Sequence, residues 1–284
     1  MQTSLLRRAL YAVGLWLAAD TYDATAATIN VPADYPTIQQ AIANSAPYDT
    51  IQVAAGTYSE SITIDRPLTL LGAQANVNPS ASGRAGGEST IVSTYAVSIT
   101  ASDVVFNGFE VKDFRYGINV PGPFPSPDYK RENISILYNW VHSNTSDVWV
   151  GFNAEPGLLQ NLLISFNIFD VFDTRTDYAP LAAVGFSSST SVGGTPTYAN
   201  VEISNNILAN LDAEDDDAGG YSLFCGADPD KYLINTMLIA RNYFRNGTNG
   251  VNFNLGNIQN GQFVDNIVET RGGSIGIDTG TVSG

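Results

Sequence analysis

Cysteine is almost absent: Cys225 stands alone in 284 residues. No internal disulfide can form, so the fold must be held by its core, and the thiol between Phe224 and Gly226 is expected to be buried and inert. Histidine occurs once, as His142, and lysine three times, as Lys112, Lys130 and Lys231. With 28 acidic against 13 basic side chains the formal net charge is −15. Such a surface repels phosphate backbones and anionic membranes, which excludes nucleic acid as a natural partner. A polyuronate is repelled too unless a cation such as Ca²⁺ bridges the two anions, whereas a neutral glycan meets no such barrier. Long apolar runs are also missing. The one at residues 9–19 is too short to span a bilayer. It follows Arg7 and Arg8 and precedes the small-residue site Ala24-Thr25-Ala26, so residues 1–26 read as an export signal ahead of a single domain at 27–284. An uncleaved anchor is the alternative.

What the chain has in quantity is Ile, Val, Phe, Tyr, Asn, Ser, Thr and Gly. The β-branched and aromatic share sets it apart from a disordered acidic chain and points to strands. Their order is periodic. Apolar, two residues, Asn, one residue, apolar occurs as Val104-Asn107-Phe109, Ile136-Asn139-Val141, Ile164-Asn167-Phe169, Ile203-Asn206-Leu208, Ile239-Asn242-Phe244 and Phe263-Asn266-Val268. Apolar residues at alternate positions on both sides of the Asn mark two short strands with a bend between them. A bend Asn that points inward must have its amide paired, and an identical Asn one strand spacing away, roughly 4.8 Å, pairs it. The expected fold is therefore all-β: a right-handed parallel β-helix solenoid with an internal Asn ladder.

Successive copies lie 32, 28, 39, 36 and 24 residues apart. Taking the shortest as a bare coil, the surplus falls in Gly/Pro-rich polar loops at 121–131, 153–157, 187–199, 212–220 and 226–231, expected on related faces of the solenoid. Ahead of the repeats, residues 34–46 read as a short capping helix, with Asp34 as its cap, Ile38, Ala41 and Ile42 as its apolar stripe, and a stop at Asn44 and Pro47. Strands are expected at 50–53, 61–64 and 68–71.

Thr37-Ile38-Gln39-Gln40-Ala41-Ile42, Asp49-Thr50-Ile51, Ala55-Gly56-Thr57-Tyr58 and the stretch from Ile62 to Gly72 resemble the opening of pectin-lyase-like right-handed β-helix proteins, including pectin methylesterases. The Asn repeats resemble the generic repeat of that superfamily. The resemblance covers nearly everything after residue 28 and implies the fold, which hosts many functions. The Asp and Arg motifs of pectin methylesterases are not found, nor are the paired Asp and Gly-His-Gly of polygalacturonase-like hydrolases. Asn107-Gly108-Phe109-Glu110 matches a short motif of alginate-lyase-like enzymes without its companion Lys and Arg-Gly-His elements.

Positions aligned on the repeat suggest where chemistry would sit. Three residues after each Asn come Glu110, His142, Asp170, Ala209, Arg245 and Glu269, a row expected to face outward. Within it His142, Asp170 and Arg245 are the candidate catalytic residues, as acid, base and charge partner, with a solvated ion pair as the alternative. One residue after each Asn come Gly108, Trp140, Ile168, Ile207, Tyr243 and Ile267, either covered by loops or forming a groove wall. Trp140 and Tyr243 suit stacking on sugar rings. Together with Glu110 and with Arg175, which stands among Asp170, Asp173 and Asp177, they are the expected substrate contacts. The acidic run Asp212, Glu214, Asp215, Asp216 and Asp217 is the candidate Ca²⁺ site, or else a solvated loop. Sequons place possible glycans on Asn133, Asn144 and Asn246.

Two functions follow. The first is a secreted, carbohydrate-active or carbohydrate-binding protein, as a polysaccharide lyase or a glycoside hydrolase. The second is a non-catalytic adhesin or fibre subunit. The last coil carries no capping helix, which suggests self-association through that end or continuation into a longer protein.

Overall fold

The structure is a computed structural model describing residues 26–80, 84, 86–121, 130–145, 150–154, 158–173, 182–186, 197–212, 221–225, 233–246, 252–254, 258–269 and 276–278. The expected export segment lies outside the described residues except for Ala26. Each coil of the chain gives one strand to each of three sheets. Among the described residues the first sheet has nine strands, from Thr28–Val31 to Ile258–Val264. The second has eight, from Gly56–Tyr58 to Ile267–Glu269, and the third eight, from Ile62–Ile64 to Gly276–Asp278. Every strand inside a sheet pairs in parallel with its equivalents one coil before and one coil after, and each edge strand with one of them. This is the right-handed parallel β-helix that the repeat predicts, with the hand that parallel crossovers take.

The N-terminal end is closed by the helix Ile38–Asn44, whose Ile38, Ala41 and Ile42 are buried. It starts later than the sequence suggests. Thr37, not Asp34, caps it, with Oγ1 accepting from the Gln40 amide at 3.2 Å. Glu60, from the next turn of the chain, accepts from the amides of Ile38 and Gln39 at 2.9 and 3.0 Å. Asp34 instead accepts from the Asn30 amide at 2.6 Å.

The Asn ladder runs through Asn139, Asn167, Asn206, Asn242 and Asn266, at the corner between the first and second sheets. In each step the Nδ2 group donates to Oδ1 of the next Asn, at 3.1, 3.0, 3.0 and 3.0 Å. The same Oδ1 accepts the backbone amide of the preceding Asn. The second Nδ2 hydrogen reaches a carbonyl one coil back, such as Ile136 from Asn167 at 2.8 Å. An interior ladder amide thus uses both donors and both lone pairs, which is why Asn and no apolar residue fits here. The residue before each Asn is left-handed: Tyr138, Phe166, Asn205, Arg241 and Asp265 all have φ between 53° and 59°. That conformation costs an L-residue about 1–2 kcal/mol, which the ladder bonds offset.

Asn107 is not a rung, and this corrects the repeat. Val104 pairs with Ile134 and Glu110 with Trp140, so the coils are offset by 30 residues and not by 32. Asn107 therefore lies opposite Leu137 and bonds Asn76 through both its amide groups. The rung position opposite Asn139 belongs to Phe109, whose backbone amide donates to Asn139 Oδ1 at 3.0 Å. Gly108, with φ of 80°, takes the left-handed corner; a Cβ there would come within 2.2 Å of the Ala75 amide.

A second, exposed amide row follows the first sheet. Asn133 donates to Asp103 at 2.7 Å, Asn161 to Asn133 at 2.9 Å and Asn200 to Asn161 at 3.1 Å. Each of these residues is left-handed within its strand. The sequence expected no such row.

The predicted loops lie largely outside the described residues. By chain order four of them connect a third-sheet strand to a first-sheet strand, and 212–220 connects a second-sheet strand to a third-sheet strand. The residues at both ends of those predictions, such as Lys130, Arg131, Asn153, Ala154 and Asp212, belong to strands. At the C-terminal end Phe263, Val264 and Ile267 are 45%, 40% and 64% exposed.

Replacing Asn167 by Ala strands several buried donors and acceptors, each costing about 1–3 kcal/mol. We expect Asn167→Ala to lower unfolding stability by about 3–5 kcal/mol and Asn133→Ala, in the exposed row, by less than about 1 kcal/mol. Urea titrations that show equal losses would remove the inner ladder from its structural role.

Candidate functional site

The outer face of the second sheet carries two rows of side chains, set two residues apart. With the register corrected, the first row reads Glu110, Trp140, Ile168, Ile207, Tyr243 and Ile267, and the second Lys112, His142, Asp170, Ala209, Arg245 and Glu269. Glu110 has thus moved from the row of His142 to the row of Trp140. Lys112, which was assigned no role from the repeat, stands directly opposite His142.

The displacement brings Glu110 diagonally onto His142. Glu110 Oε1 lies 2.9 Å from His142 Nε2. Its other oxygen accepts the hydroxyl of Thr90, one coil earlier. The bond to His142, helped by Thr90, holds the Glu110 carboxyl below the ordinary carboxylate range against the opposing effect of burial. An ionised Glu110 only accepts, so Nε2 carries the hydrogen of this bond. The imidazole also stacks on Trp140, with ring centroids 4.2 Å apart at 26°. One face and one nitrogen of the ring are thereby fixed. Thr90 escaped the sequence reading because its coil has no Asn repeat to align it.

Asp170 is the strand neighbour of His142 on the other side. It makes no hydrogen bond or ion pair among the described residues. Burial pushes its carboxyl above the ordinary range, and the charges of His142 and Arg245 offset this only in part. Arg245 stands two strands further along, beyond Ala209. The three candidate catalytic residues thus share one row: His142 and Asp170 are adjacent, Arg245 acts on Asp170 through space, and the hydrogen bond of His142 goes to Glu110. Trp140 is 36% exposed and Tyr243 is half-buried, so their row is an open stripe.

Other candidates fall elsewhere. Arg175, Glu214, Asp215, Asp216 and Asp217 lie outside the described residues, and of Asp212 only the backbone, closing the strand Ile207–Asp212, is described. Among the described residues no group of three or more His, Cys, Asp or Glu is placed to hold a metal ion. Asn133 is exposed, with Nδ2 held by Asp103. Asn144 and Asn246 are described only as backbone, in the strands Trp140–Thr145 and Tyr243–Asn246.

The two carboxyls respond to pH in opposite senses. Glu110, with a lowered folded value, stabilises the fold above the ordinary carboxylate range, and this is lost as pH falls through that lowered value. Asp170, with a raised folded value, favours the fold at pH below the ordinary range, and its ionisation penalises the fold as pH rises through the raised value. We expect Glu110→Gln to lower, and Asp170→Asn to raise, the urea midpoint at neutral pH, both differences shrinking on acidification. A neutral-pH midpoint lowered by Asp170→Asn would mean that this carboxylate is paired.

No protein-family model and no curated protein sequence matches the chain. Among solved structures, a pectin methylesterase from Aspergillus niger is 15% identical, with a TM-score of 0.35 over 92% of this chain and 86% of that one. A family 28 exopolygalacturonase from Yersinia enterocolitica is 11% identical, with a TM-score of 0.26 over 89% of this chain and 78% of that one. The coil of three parallel sheets is read from this chain's own strand order.

Proposed function

We propose that the outer face of the second sheet cleaves a glycosidic bond in an extracellular polysaccharide. The observation that carries this reading is the Glu110–His142 hydrogen bond beside an unpartnered Asp170. Glu110 positions the ring, and His142 Nδ1 takes a proton from the attacking water. Asp170, in its protonated form, gives a proton to the leaving glycosidic oxygen, which a raised carboxyl favours. Trp140 and Tyr243 offer flat apolar faces to the sugar rings. Hydrolysis is favoured over elimination because the net charge of −15 repels a polyuronate. Ca²⁺ on Asp212, Glu214, Asp215, Asp216 and Asp217 would relieve that repulsion, and export by residues 1–26 would bring the protein to its substrate.

The test is incubation with xylan, mixed-linkage β-glucan and polygalacturonate, with and without Ca²⁺, assayed for new reducing ends and for unsaturated ends. We expect reducing ends, reduced at least about 100-fold in His142→Ala and Asp170→Asn. No new ends from any polysaccharide would sink the proposal; unsaturated ends would replace hydrolysis by elimination.

The exposed Phe263, Val264 and Ile267 favour a second reading, a structural unit that associates through its C-terminal end. The helix-closed opposite end limits this to pairs of chains. Sedimentation should then give twice the 30.3 kDa chain mass, reverting to one chain in Ile267→Lys. A wild-type monomer at high concentration rules it out.

A further inference from the structure

The corner between the second and third sheets, in the same coils that carry Thr90 and Glu110, holds a pair of aromatic rings, one exposed and one half-buried. Tyr95 and Tyr116 open the strands Tyr95–Ile99 and Tyr116–Val120 and face each other in register. Their rings stack with centroids 5.2 Å apart at 10°. The Arg115 guanidinium lies over the Tyr116 ring, 5.9 Å from its centroid. The first residues of the next two third-sheet strands, Val150 and Ala182, are buried. Tyr95 is 61% exposed. Its ring has no stacking partner other than Tyr116 among the described residues. Near it in the chain, Ser93 bonds Ser61 of the preceding coil, hydroxyl to hydroxyl, at 2.6 Å.

A tyrosine held flat by a second ring, with an uncovered face and hydroxyls near it in the chain, matches the two sides of a sugar: apolar on its ring face, polar on its rim. Holding Tyr95 in place by stacking also removes much of the ordering cost that a free surface side chain would incur on binding. Tyr116, the ring behind Tyr95, lies six residues along the chain from Glu110, within about 22 Å of it even if fully extended. A chain of several sugars seated on Trp140 and His142 would reach it.

We propose that Tyr95, backed by Tyr116 and Arg115, is a second sugar platform that holds a distal unit of the polysaccharide, so that the protein prefers long chains to short oligosaccharides. This rests on the polysaccharide reading of the His142 site. The experiment measures retardation of the full chain in gels containing xylan, mixed-linkage β-glucan or polygalacturonate. For the polysaccharide that is cleaved, it also compares KM on the polymer with KM on its trisaccharide. We expect Tyr95→Ala to weaken polymer binding about tenfold and to raise KM for the polymer but not for the trisaccharide, with kcat unchanged. Tyr95→Trp should restore both. Equal binding by wild type and Tyr95→Ala, with activity still lost in His142→Ala, would overturn the platform and leave the catalytic reading standing. An equal loss on polymer and trisaccharide would also overturn it. Absence of wild-type binding and cleavage with all three polysaccharides would overturn both, and conversion of a wild-type oligomer to monomer by Tyr95→Ala would assign the rings to protein contact instead.

Discussion

A buried carboxamide needs four hydrogen-bonding partners, and in the ladder of this protein it finds most of them in the coils above and below. Asn167 illustrates the constraint: its amide is satisfied by Asn139, Asn206, and the carbonyls of Ile136 and Ser165, drawn from two neighbouring coils and its own. Apolar contacts between stacked strands tolerate sliding, because one Ile packs on another at many offsets. The amides do not, since a slip of one residue would leave each of them unpaired in a dry interior. The ladder therefore sets the register of the whole solenoid, and the outward rows inherit it.

That inheritance explains why the fold was legible and the site only partly so. The spacing from Asn139 to Asn266 stated the coil, the corner and the inward rows without ambiguity. Asn107 carries the same local pattern but pairs with Asn76 at another position, because the loop after Gly72 packs against Gly108 where an earlier coil would otherwise present its own rung. Local pattern cannot reveal a two-residue slip, and that slip moved Glu110 beside Trp140 and brought Lys112 opposite His142. Thr90 lay beyond reach for a related reason, since the first coils have no repeated Asn to count from. The helix start was misplaced because its caps, Thr37 and Glu60, include a carboxylate distant in sequence.

The site itself is an electrostatic gradient across three adjacent coils. Two donors hold the Glu110 carboxyl below the ordinary carboxylate range, while Asp170, without a donor among the described residues, is pushed above it by burial. His142 sits between the two. Carboxyl groups with opposed shifts on either side of an imidazole are an arrangement suited to moving protons. It arises here without any motif in the sequence, because each of these groups comes from a different coil.

The two amide rows also differ in sense. In the buried ladder the amide-to-amide bonds all run toward the C-terminal end, from Asn139 to Asn266. In the exposed row every side chain donates the other way, from Asn200 back to Asn133 and finally to the carboxylate of Asp103. Two columns of aligned dipoles thus run antiparallel along one solenoid, and their axial fields oppose each other. The anion at the head of the outer column terminates it with an acceptor that has no proton of its own to place.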